Sequence, residues 1–408
     1  MELKPGYKQT EVGVIPEDWD TAIVGQSFDI CNQLRLPLSR SDRNLIPDPY
    51  PYYGPTGVQG WINEYRVEGK YALIGEDGDH FLKWQAQPMT KLVEGRFNVN
   101  NHAHVVKGSR NLTEWFYWYF SNRDITTYLT RQGAGRFKLT KAALTNTPCA
   151  LPPPCEQLAI SKTLSEVDAL LSSLEQLLFK KNQIKQAAMQ ELLTGKRRLP
   201  GFEGEWEVKT LFDLANRKKE FFDDGDWIES EHITTEGIRL IQTGNIGIGD
   251  FVDKADKKFI NERSFTSLRC KQLMHGDLLI CRLADPAGRS CVLPDIAEER
   301  IVTSVDVTIF RPPADLADRH YLNQVFSTPD WLRSVSDRSG GTTHKRISRG
   351  ALGRLSINLP SLPEQTAIAE VLCEMDSELV ALEAQKNKAQ ELKQGMMLQL
   401  LTGKIRLI

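Results

Sequence analysis

Residues 156–196 recur as residues 364–404, at a constant offset of 208 and with no gap; 19 of the 41 aligned positions are identical. A duplication of this length constrains the fold before anything else does, because both copies must satisfy the same pattern. Each copy opens on Glu-Gln (Glu156-Gln157 and Glu364-Gln365) and closes on Leu-Leu-Thr-Gly-Lys, at 192–196 and 400–404. Between those ends the apolar residues fall at spacings of three and four: Leu164, Val167, Leu171, Leu174 and Leu178 in the first copy, Leu372, Met375, Leu379 and Leu382 in the second. That spacing places them on one seam of a helix. No proline follows the first turn of either copy, and Gly195 and Gly403 stand where a helix C-cap belongs. About 39 residues at ~1.5 Å each give a rod of roughly 58 Å. A lone rod with one apolar seam needs a partner. The two copies carry the same seam, so the chain is expected to pair them with each other.

The rods divide the chain into four parts: a variable domain at 1–150, a helical spacer at 151–197, a second variable domain at 198–358 and a second spacer at 359–408. Each variable domain opens on a tryptophan-centred segment, at Trp19 and Trp206. Each closes on a Gly-rich basic loop followed by an apolar strand. The first loop carries Gly133, Arg136 and Lys138; the second carries Gly340, Thr342, Thr343, His344, Lys345 and Arg346. Between these ends the two domains share almost nothing. Short β-rich runs at 71–74, 104–106, 238–241, 277–281 and 305–310, separated by Gly-bearing turns, predict mixed α+β domains. The aromatic-rich stretch 113–121 predicts a helix whose rings belong to the core, and its equivalent begins at Arg319.

Several function classes find no support. The apolar runs are shorter than the ~18–20 residues of a membrane span, and the polar first residues do not form a signal peptide. Seven scattered cysteines without CxxC spacing point to reduced thiols in a cytoplasm rather than to disulfides or zinc. No Walker A loop, no GxGxxG after a strand and no Asp/Asn-Pro-Pro-aromatic tetrapeptide occurs. His102 and His104 share a strand face without a third metal ligand nearby in sequence. The chain is therefore expected to be non-catalytic and to bind no cofactor or metal of its own. Its net charge of −2 runs against a free-standing nucleic-acid binder. A DNA reader with this balance must concentrate its cations locally or rely on partners for charge.

With these residues in hand, the chain resembles the specificity subunit of type I restriction-modification systems over essentially its whole length. The resemblance rests on the duplicated Glu-Gln to Leu-Leu-Thr-Gly-Lys helices and on the run from Gly340 to Ser348 that leads into Ser361-Leu362-Pro363-Glu364-Gln365. Asn101 and His102, within residues 99–105, are similar to one type of recognition domain in this family. Gln242, Thr243 and Asn245, with 276–279, are similar to another. The resemblance implies two target-recognition domains separated by long helices that pair as an antiparallel coiled coil in pseudo-twofold symmetry. Each domain would read one half of a bipartite, asymmetric site on double-stranded DNA. The helices would dock two methyltransferase subunits, which bind S-adenosylmethionine, and restriction and motor subunits would join through them. The basic-loop residues, with Asn101, His102, Gln242, Thr243 and Asn245, are the candidate DNA contacts. The other readings are a coiled-coil scaffold without base readout and a single-chain DNA methyltransferase or nuclease with a divergent site.

Overall fold

The computed structural model describes residues 5–44, 49–132, 136–283, 286–341 and 345–407. The two copies of the repeat form helices Pro154–Leu192 and Leu362–Leu400, of 39 residues each. Proline at the first or second helical position costs no hydrogen bond, since those amides have no intrahelical acceptor. Beyond the helix ends, Gly195 and Gly403 take φ values of 69° and 68°, a conformation that disfavours any side chain. Space matters there as well. A Cβ on Gly195 would stand 3.3 Å from the Trp206 ring, and one on Gly403 would stand 3.2 Å from Trp19. The tryptophan-centred segments thus pack on the glycines that end the helices.

The chain divides into two compact units, residues 1–175 with 384–408, and residues 176–383. Each helix gives one half to each unit. In the first unit Lys393 bridges Asp168 at 2.6 Å and Lys386 bridges Glu175 at 3.1 Å. Residue numbers rise on one helix as they fall on the other, so the two segments run antiparallel. In the second unit Lys185 bridges Asp376, and Lys181 bridges Glu378 at 2.6 Å, in the same sense. Such pairs near solvent contribute ~1 kcal/mol or less each; they set register more than stability. The expected seam is turned from solvent: Leu164, Leu174, Leu372 and Leu382 are buried, and Val167, Leu171, Met375 and Leu379 are half-buried.

Both units build their cores on the same repeat positions. In the first, Ile160 and Leu164 join Met397 and Leu400, together with Trp19, Trp115 and Phe116. In the second, Ile368 and Leu372 join Met189 and Leu192, together with Leu211, Tyr321 and Phe326. The aromatic stretch forms helix Thr113–Ser121 with Trp115, Phe116, Trp118, Tyr119 and Phe120 buried, and Arg319–Phe326 is its counterpart.

The Glu-Gln pair that opens each repeat is the polar centre of this frame. Glu156 is buried and accepts from Arg406 Nε at 2.7 Å, Arg406 Nη2 at 2.8 Å and Trp19 Nε1 at 2.9 Å. Glu364 is buried and accepts from Arg198 Nε at 2.5 Å and Nη2 at 2.6 Å. Hydrogen bonding to these carboxylates raises the pKa of both arginines. Gln157 accepts from the Leu112 amide at 3.1 Å, and Gln365 from the Asp318 amide at 3.0 Å. Leu112 and Asp318 are the N-cap residues of the two equivalent helices. Each glutamine also donates to the carbonyl five residues before it, Pro152 or Pro360, at 2.9 Å.

Around that frame the two units differ. Each has an antiparallel strand pair at the base, Asp20–Ile23 with Pro148–Leu151 and Glu207–Thr210 with Ser356–Leu359. Above it the first unit carries a six-stranded sheet, in the order Phe28–Ile30, Ala103–Gly108, Val67–Gly75, Thr90–Val99, Tyr50–Tyr53, Val58–Ile62. The second carries two four-stranded sheets. One contains Leu278–Cys281 between Val307–Phe310 and Ser290–Val292, and the other contains Ile238–Ile241 between Lys258–Ile260 and Ile301–Thr303.

The matching positions predict what the first half of the chain does when it is cut after Arg198. A second copy then supplies Met189, Leu192, Lys185 and Arg198 in place of Met397, Leu400, Lys393 and Arg406. These are the same residues at the 208 offset. Leaving the seam in water costs roughly 1.5–3 kcal/mol per large apolar side chain, so a twofold dimer is expected. Sedimentation would read a dimer; a soluble monomer at micromolar concentration would contradict the pairing.

Candidate functional site

In the first unit the basic loop is a β-hairpin, Thr130–Gln132 paired with Arg136–Lys138. Gly133 lies outside the described residues. The second strand of the hairpin is stitched to the turn that follows strand Val67–Gly75. The Leu139 amide donates to the Glu76 carbonyl at 2.8 Å, and the Gly78 amide donates to the Phe137 carbonyl at 3.2 Å. Lys138 Nζ sits 3.3 Å from Glu76 and 3.6 Å from Asp77. His102 Nδ1 lies 2.7 Å from the Asp77 carboxylate. Arg35 donates to Glu76 at 2.6 Å and to the Asn101 carbonyl at 3.0 Å. The fold thus brings Asn101, His102 and Lys138 together around two carboxylates. Arg136 is exposed and has no ion pair among the described residues.

His104 belongs to a different layer. It is buried; the Asn32 amide donates to its Nδ1 at 2.9 Å, which leaves Nε2 to donate to the Leu139 carbonyl at 2.7 Å. Burial holds its pKa below the usual histidine value. Both nitrogens are thus occupied within the fold, Nε2 at the base of the hairpin and Nδ1 by Asn32. Among the described residues no cluster of three or more His, Cys, Asp or Glu is arranged to hold a metal ion.

The second unit repeats the device on other residues. Gly340 and Arg346 exchange backbone hydrogen bonds of 3.0 and 2.9 Å. Thr342, Thr343 and His344 lie outside the described residues. Arg346 bridges Leu283, and the Ile347 amide donates to the Arg282 carbonyl at 3.0 Å. Arg346 Nη2 meets Asp306 at 2.8 Å, and Lys345 Nζ donates to Ser336 Oγ at 2.9 Å. Lys138 and Arg346 are 208 apart, as are Leu139 and Ile347. Each cation is ion-paired, and each following amide is bonded to the turn beyond a core strand. Thr140 and Ser348 then cap the next helices by accepting from the Ala143 and Ala351 amides, both at 3.1 Å. Arg282 underlies the second loop, donating to the Ile347 and Val305 carbonyls at 3.1 and 2.6 Å; burial lowers its pKa.

Gln242, Thr243 and Asn245 form one tight turn. Asn245 is buried and spends its side chain on the chain itself, accepting from the Gln242 amide at 3.0 Å and donating to the Val252 carbonyl at 2.9 Å. It shapes the turn. Gln242 and Thr243 are half-buried and line an open cleft of about 780 Å³ in the second unit. Leu283 and Asp306, which hold Arg346, line the same cleft. Two segments about a hundred residues apart in sequence thereby meet in one place. The cleft also contains Trp227, Lys254 and Lys258, which sequence reasoning passed over. Nothing local distinguishes an exposed tryptophan from a packed one. Glu76 and Asp77 were legible only as part of a turn.

Comparison with known proteins agrees with this arrangement. The family described as the type I restriction modification DNA specificity domain matches residues 16–186 and 203–394. The MjaVIII specificity subunit of a type I restriction enzyme from Methanocaldococcus jannaschii is 23% identical over 410 residues, covering 96% of this chain and 94% of its own. The putative MjaX specificity subunit of the same organism is 24% identical over 436 residues, covering 98% and 96%. The fold is shared with the crystal structure of a type I restriction-modification S subunit from M. genitalium, with a TM-score of 0.64 at 13% identity over 98% of each chain.

The carboxylate pair beneath the first hairpin has a measurable role. Asp77→Asn removes the charge facing both His102 and Lys138. Both pairs are partly exposed, so global stability is expected to fall by about 1 kcal/mol or less. Hydrogen exchange at the Gly78 and Leu139 amides is expected to rise several-fold while the core amides stay protected. Unchanged exchange at both, or loss of protection across the whole unit, would show that these pairs do not specifically hold the hairpin.

Proposed function

Since the chain belongs to the type I restriction-modification specificity subunits, we propose that each of its two compact units reads one half of a bipartite, asymmetric DNA site and that its long helices dock methyltransferase subunits. The role of this family is recognition rather than catalysis. The observation that carries the reading is the pair of clamped basic loops. The same device stands at the end of a core strand in both units, while the sheets and turns around it differ. A duplicated frame with unlike reading surfaces suits a target whose two halves differ.

The chemistry is divided accordingly. Phosphate contacts set register, and base edges carry the sequence. On this reading Arg136, Lys345 and Arg346 would meet phosphates or bases, as would Gln242 and Thr243. Asn101 and His102 would be the matching DNA contacts of the first unit. Methylation of a base inside a duplex requires that base to be extruded, so the methyltransferase partners must grip the DNA as well. They would bind S-adenosylmethionine and supply positive charge that a chain of net charge −2 lacks. Restriction subunits would join the same assembly, in the cytoplasm where its DNA lies. No helix among the described residues is long and apolar enough to cross a membrane.

Exchange of residues 1–150 for a recognition domain of another family member is the direct test. Modified-base sequencing of a host expressing the chimera with its methyltransferase is expected to show one half of the target changed and the other retained. A change in both halves would refute independent readers.

Replacement of Lys345 and Arg346 by alanine tests the loop. If both meet phosphates, the assembled complex loses affinity to a similar extent for all sequences, and the salt slope flattens by about one per lost contact. Loss confined to one base position would instead mean base readout; unchanged affinity and slope would reduce the loop to a turn.

A further inference from the structure

The cleft of the second unit holds an arrangement that the loop device does not require. Of the eight tryptophans, only Trp61 and Trp227 are exposed, and Trp227 lies 65% in the open. An indole left in water forgoes much of the 150–250 Å² that aromatic side chains ordinarily bury. Its ring is nonetheless held, because Nε1 donates to Glu229 Oε1 at 2.9 Å. Across the same cleft Lys254 is exposed, with no ion pair or hydrogen bond among the described residues. Its ammonium passes close over Gly244: a Cβ there would stand 2.2 Å from Nζ. Glycine at 244 therefore leaves room for the lysine.

Most carboxylates around the cleft are already matched. Asp226 faces Lys271 at 3.3 Å, Asp256 faces Lys258 at 2.9 Å, and Asp306 faces Arg346 at 2.8 Å. Lys254 is the cation without such a partner. Gln242 lines the same cleft from a backbone fixed by the turn: its carbonyl accepts from the Asn245 amide at 2.8 Å, and its own amide donates to Asn245 Oδ1 at 3.0 Å. The cleft thus offers a held apolar ring, a half-buried carboxamide and an unpaired cation. That set fits the edge of a DNA duplex, where an apolar surface meets a thymine methyl, an amide meets a base-edge acceptor and an ammonium meets a phosphate.

From this juxtaposition we infer that Trp227 is a specificity-determining contact for the second half-site, with Lys254 taking a phosphate beside it. The inference rests on the reading of the chain as a DNA-recognition subunit. Its test uses the full chain assembled with its methyltransferase subunits and the genomic DNA of the expressing host as probe. Exchange of residues 1–150 first identifies which half belongs to the second unit. Trp227→Ala is then expected to relax preference at one or two positions of that half, about tenfold at each, and to leave the other half as in the wild type. Trp227→Phe restores an aromatic face and is expected to recover most of the preference. Lys254→Ala is expected to keep the methylated motif while lowering affinity for all duplexes, with a salt slope smaller by about one. An unchanged map and affinity in Trp227→Ala would overturn the inference while leaving the recognition role intact. So would a change in the first unit's half, or loss of both halves in the alanine and phenylalanine variants alike. A wild-type assembly that yields no bipartite motif would overturn the recognition role itself, and this inference with it.

Discussion

The buried carboxylate at the start of each long helix is the interaction on which the rest depends. Glu156 and Glu364 are almost wholly removed from water, and a carboxylate in that position is tolerable only when paired. The partner comes from just beyond the end of the other helix: Arg406 for Glu156, Arg198 for Glu364. Removing either arginine would strand a buried charge, at a cost of roughly 3–5 kcal/mol. Neither unit can therefore form from one copy of the repeat alone. The start of one helix, the tail of the other and a tryptophan-centred segment must arrive together.

The glutamine next to each carboxylate extends the same logic outward. By capping the helix that begins at Thr113 or Arg319, Gln157 and Gln365 tie the variable domain to the rod. Duplication of the repeat thus duplicates a socket as well as a helix. What sits above the socket is free to change, and it has changed: one six-stranded sheet in the first unit, two four-stranded sheets in the second. The clamped loop survives in both because it is fastened by backbone amides at Leu139 and Ile347, which do not depend on which side chains lie below.

Much of this was legible in the sequence. The repeat, its seam, its glycine caps and the aromatic helix at 113–121 follow from periodicity, which is local information. The site was less legible. Asn245 looked like a polar residue free to meet DNA, but the turn consumes its side chain. His104 looked equivalent to His102, yet it lies in the core while His102 faces Asp77 near the surface. Trp227 and Lys254 carried no signal at all, because exposure is a property of what the rest of the chain leaves uncovered.

The sequence by itself determined the plan: two long helices that must be covered, two unlike domains, a basic loop closing each, and the family to which all of this belongs. It could do so because helical seams and duplications are written in spacing along the chain. Only the tertiary structure decided that the compact units cut across the repeats, each taking halves of both helices. It alone decided that Gln242 and Thr243 share a cleft with the residues that hold Arg346. Those facts depend on contacts between residues far apart in the chain. Such contacts are set by which buried charges find partners and which surfaces remain open, and no local pattern encodes them.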